Sequence, residues 1–211
     1  MENTATKTAS LLLQINAIKL QPQNPFTWSS GWKSPIYCDN RISLSFPEIR
    51  NFIKENLSEL VKNKFGDAEI IAGVATAGIA HAALMADYLN MPMCYVRSSL
   101  KNHGMGNLIE GQILKGQKVV VVEDLISTGG SSLNVVHALR DAGCEVLGMV
   151  AIFTYGFQSA ADKFKEANCQ YYTLTDYFQL IEEALQQKII SENEIETLKK
   201  WREAPDVWNA P

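Results

Sequence analysis

The sequence predicts an α/β fold, a central parallel sheet flanked by helices. Three observations carry that expectation. Strand-like and helix-like segments alternate between residues 69 and 187, as they do where crossover helices join parallel strands. Four consecutive valines, Val119 to Val122, show no polar alternation and read as a strand buried on both faces. The chain has 211 residues and 46% hydrophobic content, enough for one globular domain with an ample core.

The elements follow in order. Leu12, Leu13, Ile15 and Ile18 recur at near-helical spacing over residues 5–19. Residues 21–41 are rich in proline, serine and aromatics, and read as a loop with short strands. A helix is expected to start near Pro47, where Ser45 and Glu48 have capping-box spacing. Ile49, Phe52, Ile53, Leu57, Leu60 and Val61 then line one face of it. Strands are expected at 69–74, 93–97, 118–123, 145–153 and 170–174, and helices near 78–89, 131–142, 157–167 and 176–187. Residues 98–116 break this rhythm. They carry Gly104, Gly106, Gly111 and Gly116 with little apolar periodicity, and a loop of that length is usually functional or disordered. Trp201 and Trp208, set among charges and prolines, are expected at the surface or an interface.

Composition excludes some functions. A net charge of −4 leaves no basic footprint for bulk nucleic-acid binding. Cys38, Cys94, Cys144 and Cys169 are far apart and form no C-x-x-C pair, so they read as reduced thiols of a cytoplasmic protein. Leu11-Leu12-Leu13 is too short and too polar in its surroundings for a secretory signal. The longest apolar stretch, Ile70 to Ala86, is interrupted by Gly73, Thr76, Gly78 and His81, and reads as strand, loop and helix.

The chemistry lies in KVVVVEDLISTGGSS, residues 118–132. Ligands of open α/β sheets bind beyond the carboxyl ends of the strands, and Glu123 and Asp124 stand at that end of the valine strand. Ser127, Thr128, Gly129, Gly130 and Ser131 then lead into a helix. Glycines let several N–H groups point inward, and the helix start adds partial positive charge, so the turn suits a phosphate monoester. Thr128, Ser131 and Ser132 can add hydroxyl donors. Two acids beside a phosphate repel it, so they are placed for sugar hydroxyls or a nearby metal ion. There is no Walker loop, and no G-x-G-x-x-G opens a helix after a strand.

This run resembles the phosphoribosyl-pyrophosphate (PRPP) motif of type I phosphoribosyltransferases, where the acids contact the ribose and the loop wraps the 5′-phosphate. Three further stretches resemble the orotate phosphoribosyltransferases in particular. They are PFTWSSGWKSPIYCDNR (25–41) over the base, GVATAGIAHA (73–82) as a pyrophosphate loop, and YVRSSLKNHGMGNLIEG (95–111) as a mobile catalytic loop. The resemblance covers roughly residues 10–180. It implies the type I fold as a single domain over 1–211, with a small hood mainly from residues 1–45 and a mobile loop at 98–116. It implies transfer of a 5-phosphoribosyl group from PRPP to orotate, with Mg²⁺ held mainly by PRPP and water. A homodimer is also implied, its mobile loop acting across the interface.

By the same resemblance, Lys101, His103 and Asp124 are catalytic, and Arg97, Lys101, His103, Glu123, Asp124, Leu125, Ile126, Ser127, Thr128, Gly129, Gly130 and Ser131 bind PRPP. Thr76, Ala77 and Gly78 approach pyrophosphate, and a cis peptide is expected near Ala75-Thr76. Ser127, Lys33 and Tyr37 are the orotate-binding candidates. His81 and His137, in expected helices, are assigned structural roles. Two departures from the family pattern stand out. Ser98 and Ser99 replace loop lysines, which puts more of the burden on Lys101. IFTYGFQ (152–158) lacks the arginine that meets the orotate carboxylate, leaving Lys33, Arg41 and backbone donors to hold it. A purine phosphoribosyltransferase shares the PRPP motif, but the SSGWKSPIY segment and the R-x-x-x-K-x-H spacing disfavour it. A non-catalytic PRPP sensor would need a basic face or an added nucleic-acid-binding domain.

Overall fold

The computed structural model describes residues 3–28, 30–97 and 108–208. Helix α1 (Thr4–Gln14) leads into β1 (Ile18–Leu20), β2 (Phe26–Thr27), β3 (Lys33–Ser34) and β4 (Ile36–Cys38). A 3-10 turn, Asn40–Ser45, precedes α2 (Pro47–Lys64). The alternating part comprises β5 (Ile70–Val74), α3 (Ala77–Leu89), β6 (Met93–Val96), β7 (Ile109–Glu110), β8 (Lys118–Ile126), α4 (Gly130–Asp141) and β9 (Glu145–Thr154). It ends with α5 (Gln158–Glu166), β10 (Tyr171–Asp176), α6 (Tyr177–Gln186) and α7 (Glu192–Glu203).

Six strands form one sheet in the order β10-β9-β8-β5-β6-β7. β5 runs parallel to β6 and β8, and β8 runs parallel to β9. Val119 to Val122, Ile70, Ile71 and Ala72 are fully buried, as expected of strands covered on both faces. On α2, Ile49, Ile53, Leu57 and Val61 recur every fourth residue and are buried. The four cysteines are free thiols. Among the described residues, no helix is long and apolar enough to cross a membrane.

Several expectations are corrected. The first helix stops at Gln14 instead of running to residue 19, because Asn16 takes a left-handed φ of 56° and the chain turns into β1. Ser45 ends the 3-10 turn and Pro47 opens α2, one residue too late for the Ser45–Glu48 capping box. A capping box does form on α7, where the Ser191 N–H donates to Glu194 Oε2 at 2.9 Å. The expected loop at 98–116 contains β7, whose Ile109 and Glu110 pair antiparallel with Val96 and Tyr95. Residues 98–107 of that loop lie outside the described residues.

The chain divides into two compact units, Met1–Pro47 with Thr175–Pro211, and Glu48–Leu174. In the first unit, β1 pairs with β4, β2 pairs with β3, and α1 packs on α6. Trp201 on α7 is fully buried, which corrects its expected surface position. Its indole N–H donates to the Lys33 carbonyl at 3.2 Å, and its ring lies 5.6 Å from those of Trp28 and Tyr177. The second unit carries the parallel sheet.

Candidate active site

The β5–β8 ladder ends at Gly73 and Val122, while β8 stays paired to β9 as far as Ile126 and Thr154. The strand therefore does not end at residue 123, as the sequence suggested. It continues with β9 on one side only. Glu123 and Asp124 are the first residues beyond the β5 ladder, where the sheet opens on that side. This is the carboxyl-end position at which open α/β sheets take ligands.

The two acids differ. Glu123 is 5% exposed, and its carboxyl oxygens accept from Ser132 Oγ at 3.1 Å and from the Asp124 N–H at 3.0 Å. Burial pushes its carboxyl well above the usual range, and the Asp124 charge adds to the shift. Ser132 thus gives its hydroxyl to Glu123 and not to an incoming phosphate, which corrects its assignment as a phosphate donor. Asp124 is half-buried and keeps surface for a ligand. Leu125, Ser127 and Thr128 are half-buried, and Gly130 and Ser131 are exposed. Ile126 lies in the core, and its carbonyl accepts from Thr154 Oγ1 at 3.1 Å.

Gly129 has φ +78°, a left-handed conformation that glycine adopts freely. Helix α4 begins at the next residue, so its first N–H groups face the turn. The expected pyrophosphate loop follows the neighbouring strand, β5. The Ala75-Thr76 peptide is cis, as the resemblance implies. Thr76 is exposed and immediately precedes α3, with Ala77 and Gly78 forming its first turn. A Cβ on Gly78 would lie 2.4 Å from the Val122 carbonyl oxygen and 3.4 Å from Glu123 Cα. Only glycine allows this helix start to rest on β8 next to the acid pair. The turn 125–131, the two acids and the helix start expected to meet pyrophosphate are therefore contiguous in the second unit.

Arg97 follows β6 at the root of the expected mobile loop. Its N–H donates to the Leu108 carbonyl at 2.9 Å, and its guanidinium lies 3.7 Å from Glu110. Lys101, His103, Ser98 and Ser99 lie outside the described residues. His81 is buried on α3, and burial lowers its imidazole pKa to about 4, which fits a neutral core residue. His137 is exposed on α4.

The base-side candidates belong to the first unit. Lys33 is exposed on β3, and its ammonium donates to Thr27 Oγ1 at 2.7 Å. Tyr37 on β4 is 41% exposed and packs 5.6 Å from Phe26. The Arg41 side chain donates twice to Asp39, from Nε at 2.6 Å and Nη2 at 2.9 Å. That pair holds the Asp39 carboxyl below its usual range and occupies Arg41 locally. After β9, where the sequence lacks the arginine expected from the resemblance, Tyr155 and Phe157 are buried and stacked at 5.3 Å.

Comparison with known proteins agrees with this geometry. A family model described as "Phosphoribosyl transferase domain" matches residues 44–188. An orotate phosphoribosyltransferase of Bacillus pumilus is 62% identical over 200 residues, covering 95% of this chain and 94% of that one. One of Porphyromonas gingivalis is 55% identical over 208 residues, covering 99% of each. This chain belongs to the orotate phosphoribosyltransferase family. A crystal structure of the Aeropyrum pernix orotate phosphoribosyltransferase superposes with a TM-score of 0.75, at 27% identity over 87% of this chain and 99% of that one. The type I fold expected of an orotate phosphoribosyltransferase is thus present.

Sequence reasoning missed Ser132 as the partner of Glu123. The signal was available, since Ser132 lies nine residues on at the start of a helix that returns along β8. It also missed α7, whose buried Trp201 is disguised by flanking charges.

Proposed function

We propose that this chain transfers the 5-phosphoribosyl group from PRPP to orotate, giving orotidine 5′-monophosphate and pyrophosphate in pyrimidine biosynthesis. The C1–O bond to pyrophosphate breaks, the N1–C1 bond forms, and orotate N1 gives up its proton. The observation that carries this reading, beside family membership, is the acid pair at the open edge of β8. It lies between a turn suited to a phosphate and a helix start suited to a pyrophosphate.

Each part has a task. The turn from Leu125 to Ser131 binds the 5′-phosphate through backbone N–H groups and hydroxyls. Asp124, with exposed surface, meets a ribose hydroxyl, and Glu123, locked by Ser132, fixes the strand beneath it. Thr76, Ala77 and Gly78 receive the leaving pyrophosphate at the start of α3. Positive charge developing at C1 is tolerated beside a carboxylate, and cations compensate the leaving group. Arg97 is one such cation, and Lys101 and His103 are the others, acting from the partner subunit in a homodimer. Lys33, Tyr37 and Ser127 hold orotate.

Mg²⁺ fits this chemistry as a companion of PRPP. Its ligands would be mainly PRPP oxygens and water, as the family resemblance implies. Bound there, it would neutralise charge on the leaving pyrophosphate. The setting is cytoplasmic.

A spectrophotometric assay tests this reading. The protein is mixed with PRPP and Mg²⁺, and orotate, adenine, guanine, xanthine and uracil are offered separately. Loss of orotate alone, abolished by EDTA, is the expected result. Consumption of a purine would overturn the base assignment. Lys101→Ala should lose most turnover while remaining folded, and normal turnover would refute the loop's role.

A further inference from the structure

One cation near the phosphate loop has no part in the reading above. Lys163, on α5, donates from Nζ to the Thr128 carbonyl at 3.2 Å, across 35 positions of sequence. The neighbouring Phe164 ring lies under Gly129. A Cβ built on Gly129 would stand 3.0 Å from Phe164 Cε2 and 3.8 Å from Ala160 Cα. Helix α5 is therefore a floor for the phosphate loop, touching it at two consecutive residues.

The peptide between Thr128 and Gly129 is trans, so its C=O and N–H point in opposite directions. A donor that holds the carbonyl from outside also fixes where the N–H points. Gly129 is buried, and among the described residues no acceptor takes its N–H. A carbonyl turned into the loop would instead repel an anion. With φ +78° and no side chain, Gly129 resists such a peptide flip weakly by itself.

Resting on the proposed PRPP reading, we infer that Lys163 is a positioning residue for the donor's 5′-phosphate. It holds the Thr128 carbonyl outward and so keeps the Gly129 N–H turned into the loop. Its ammonium adds positive charge behind the loop without touching the ligand.

The test is PRPP binding by titration calorimetry, without any base, on the full chain and on Lys163→Met and Lys163→Arg. Lys163→Met should weaken PRPP about threefold to tenfold, the range for losing one ordinary hydrogen bond, since this one is exposed to solvent. Lys163→Arg should restore binding to within about twofold, since it keeps a charged donor. KM for PRPP should follow the calorimetric order, while KM for orotate, Tm and inhibition by pyrophosphate stay unchanged. Equal PRPP affinity in Lys163→Met and the parent would overturn the inference. So would equal weakening of PRPP and pyrophosphate, the mark of a general charge effect. If the PRPP series behaves as expected but the parent leaves orotate untouched, Lys163 keeps its role and the orotate reading falls.

Discussion

The end of β8 and the aromatic cluster around Trp201 are built on opposite principles. At β8 the decisive contacts are short in sequence: Glu123 is held by the adjacent Asp124 N–H and by Ser132, nine positions on. Around Trp201 they are long: the indole N–H reaches Lys33, 168 positions away, and the ring meets Trp28 and Tyr177. The first region arranges chemistry with few residues and tolerates a buried acid. The second contributes apolar burial and no obvious chemistry. Changes at Trp201 should therefore move stability with little effect on the activity of molecules that remain folded. Changes at β8 should do the reverse.

The largest expected effect breaks the cluster. Trp201→Ala removes a fully buried indole and leaves the Lys33 carbonyl without its donor. Such truncations cost about 3–5 kcal/mol. Calorimetry should show a large fall in Tm. At a temperature where the variant is still folded, KM for PRPP should match the parent. A raised KM for PRPP there would show that the two regions are not separable in this way.

The contrast also explains what was legible in the sequence. Val119 to Val122, the acids and the Thr-Gly-Gly turn were readable because a strand, its end and a helix start are local events with local residue preferences. The length of β8 was not, because its last residues are held by β9, more than twenty positions later. β7 escaped for the same reason: two residues become a strand only because β6 lies beside them. Trp201 was misplaced because its helix is mostly charged, and the partners that bury it come from the far end of the chain. Lys163 carried no signal at all. A lysine in an amphipathic helix looks solvated until the fold sets it beside Thr128.

Next in size is a pH effect in the sheet unit. Buried His81 has its pKa lowered from 6.5 to about 4, and its Nε2 has no hydrogen-bond partner. The folded state therefore holds it neutral, while the unfolded chain takes up a proton below 6.5. Stability from this site is complete above that value and declines as pH falls towards 4, by about 3 kcal/mol in all. Urea unfolding at pH 7.5 and at pH 4.5 should show this loss in the parent and much less of it in His81→Leu. Parallel losses in both proteins would remove His81 as the cause.

Gly78→Ala sharpens the comparison from the other side. Its methyl would meet the Val122 carbonyl oxygen at 2.4 Å, and neither backbone gives way cheaply. The start of α3 must then shift away from β8, moving the proposed pyrophosphate loop relative to the acids. Displacements of about 1 Å at a reacting centre can cost about a hundredfold in rate. Turnover should fall by that order, with a smaller fall in Tm than for Trp201→Ala. Full activity with wild-type affinity for pyrophosphate would mean the close approach has no functional role.

The smallest effect separates stability from chemistry within one residue. Burial raises the Glu123 carboxyl above its ordinary value of 4.5, so the folded chain keeps a proton that the unfolded chain releases. Its contribution is complete below 4.5 and is lost as pH rises through the raised value, leaving a net cost in the alkaline range. Glu123→Gln keeps an oxygen for the Asp124 N–H and cannot ionise, while Ser132 Oγ can turn to accept from the new amide. At pH 8 the variant should be more stable than the parent, a difference that vanishes near pH 4. KM for PRPP should nevertheless rise about tenfold, because an amide replaces the carboxyl in the side-chain hydrogen bond to Asp124 and re-aims that acid. A variant less stable than the parent at pH 8 would mean that Glu123 is ionised and compensated in the folded chain. The sheet end would then be held together by that charge, and its contrast with the Trp201 cluster would narrow to the kind of contact, polar against apolar.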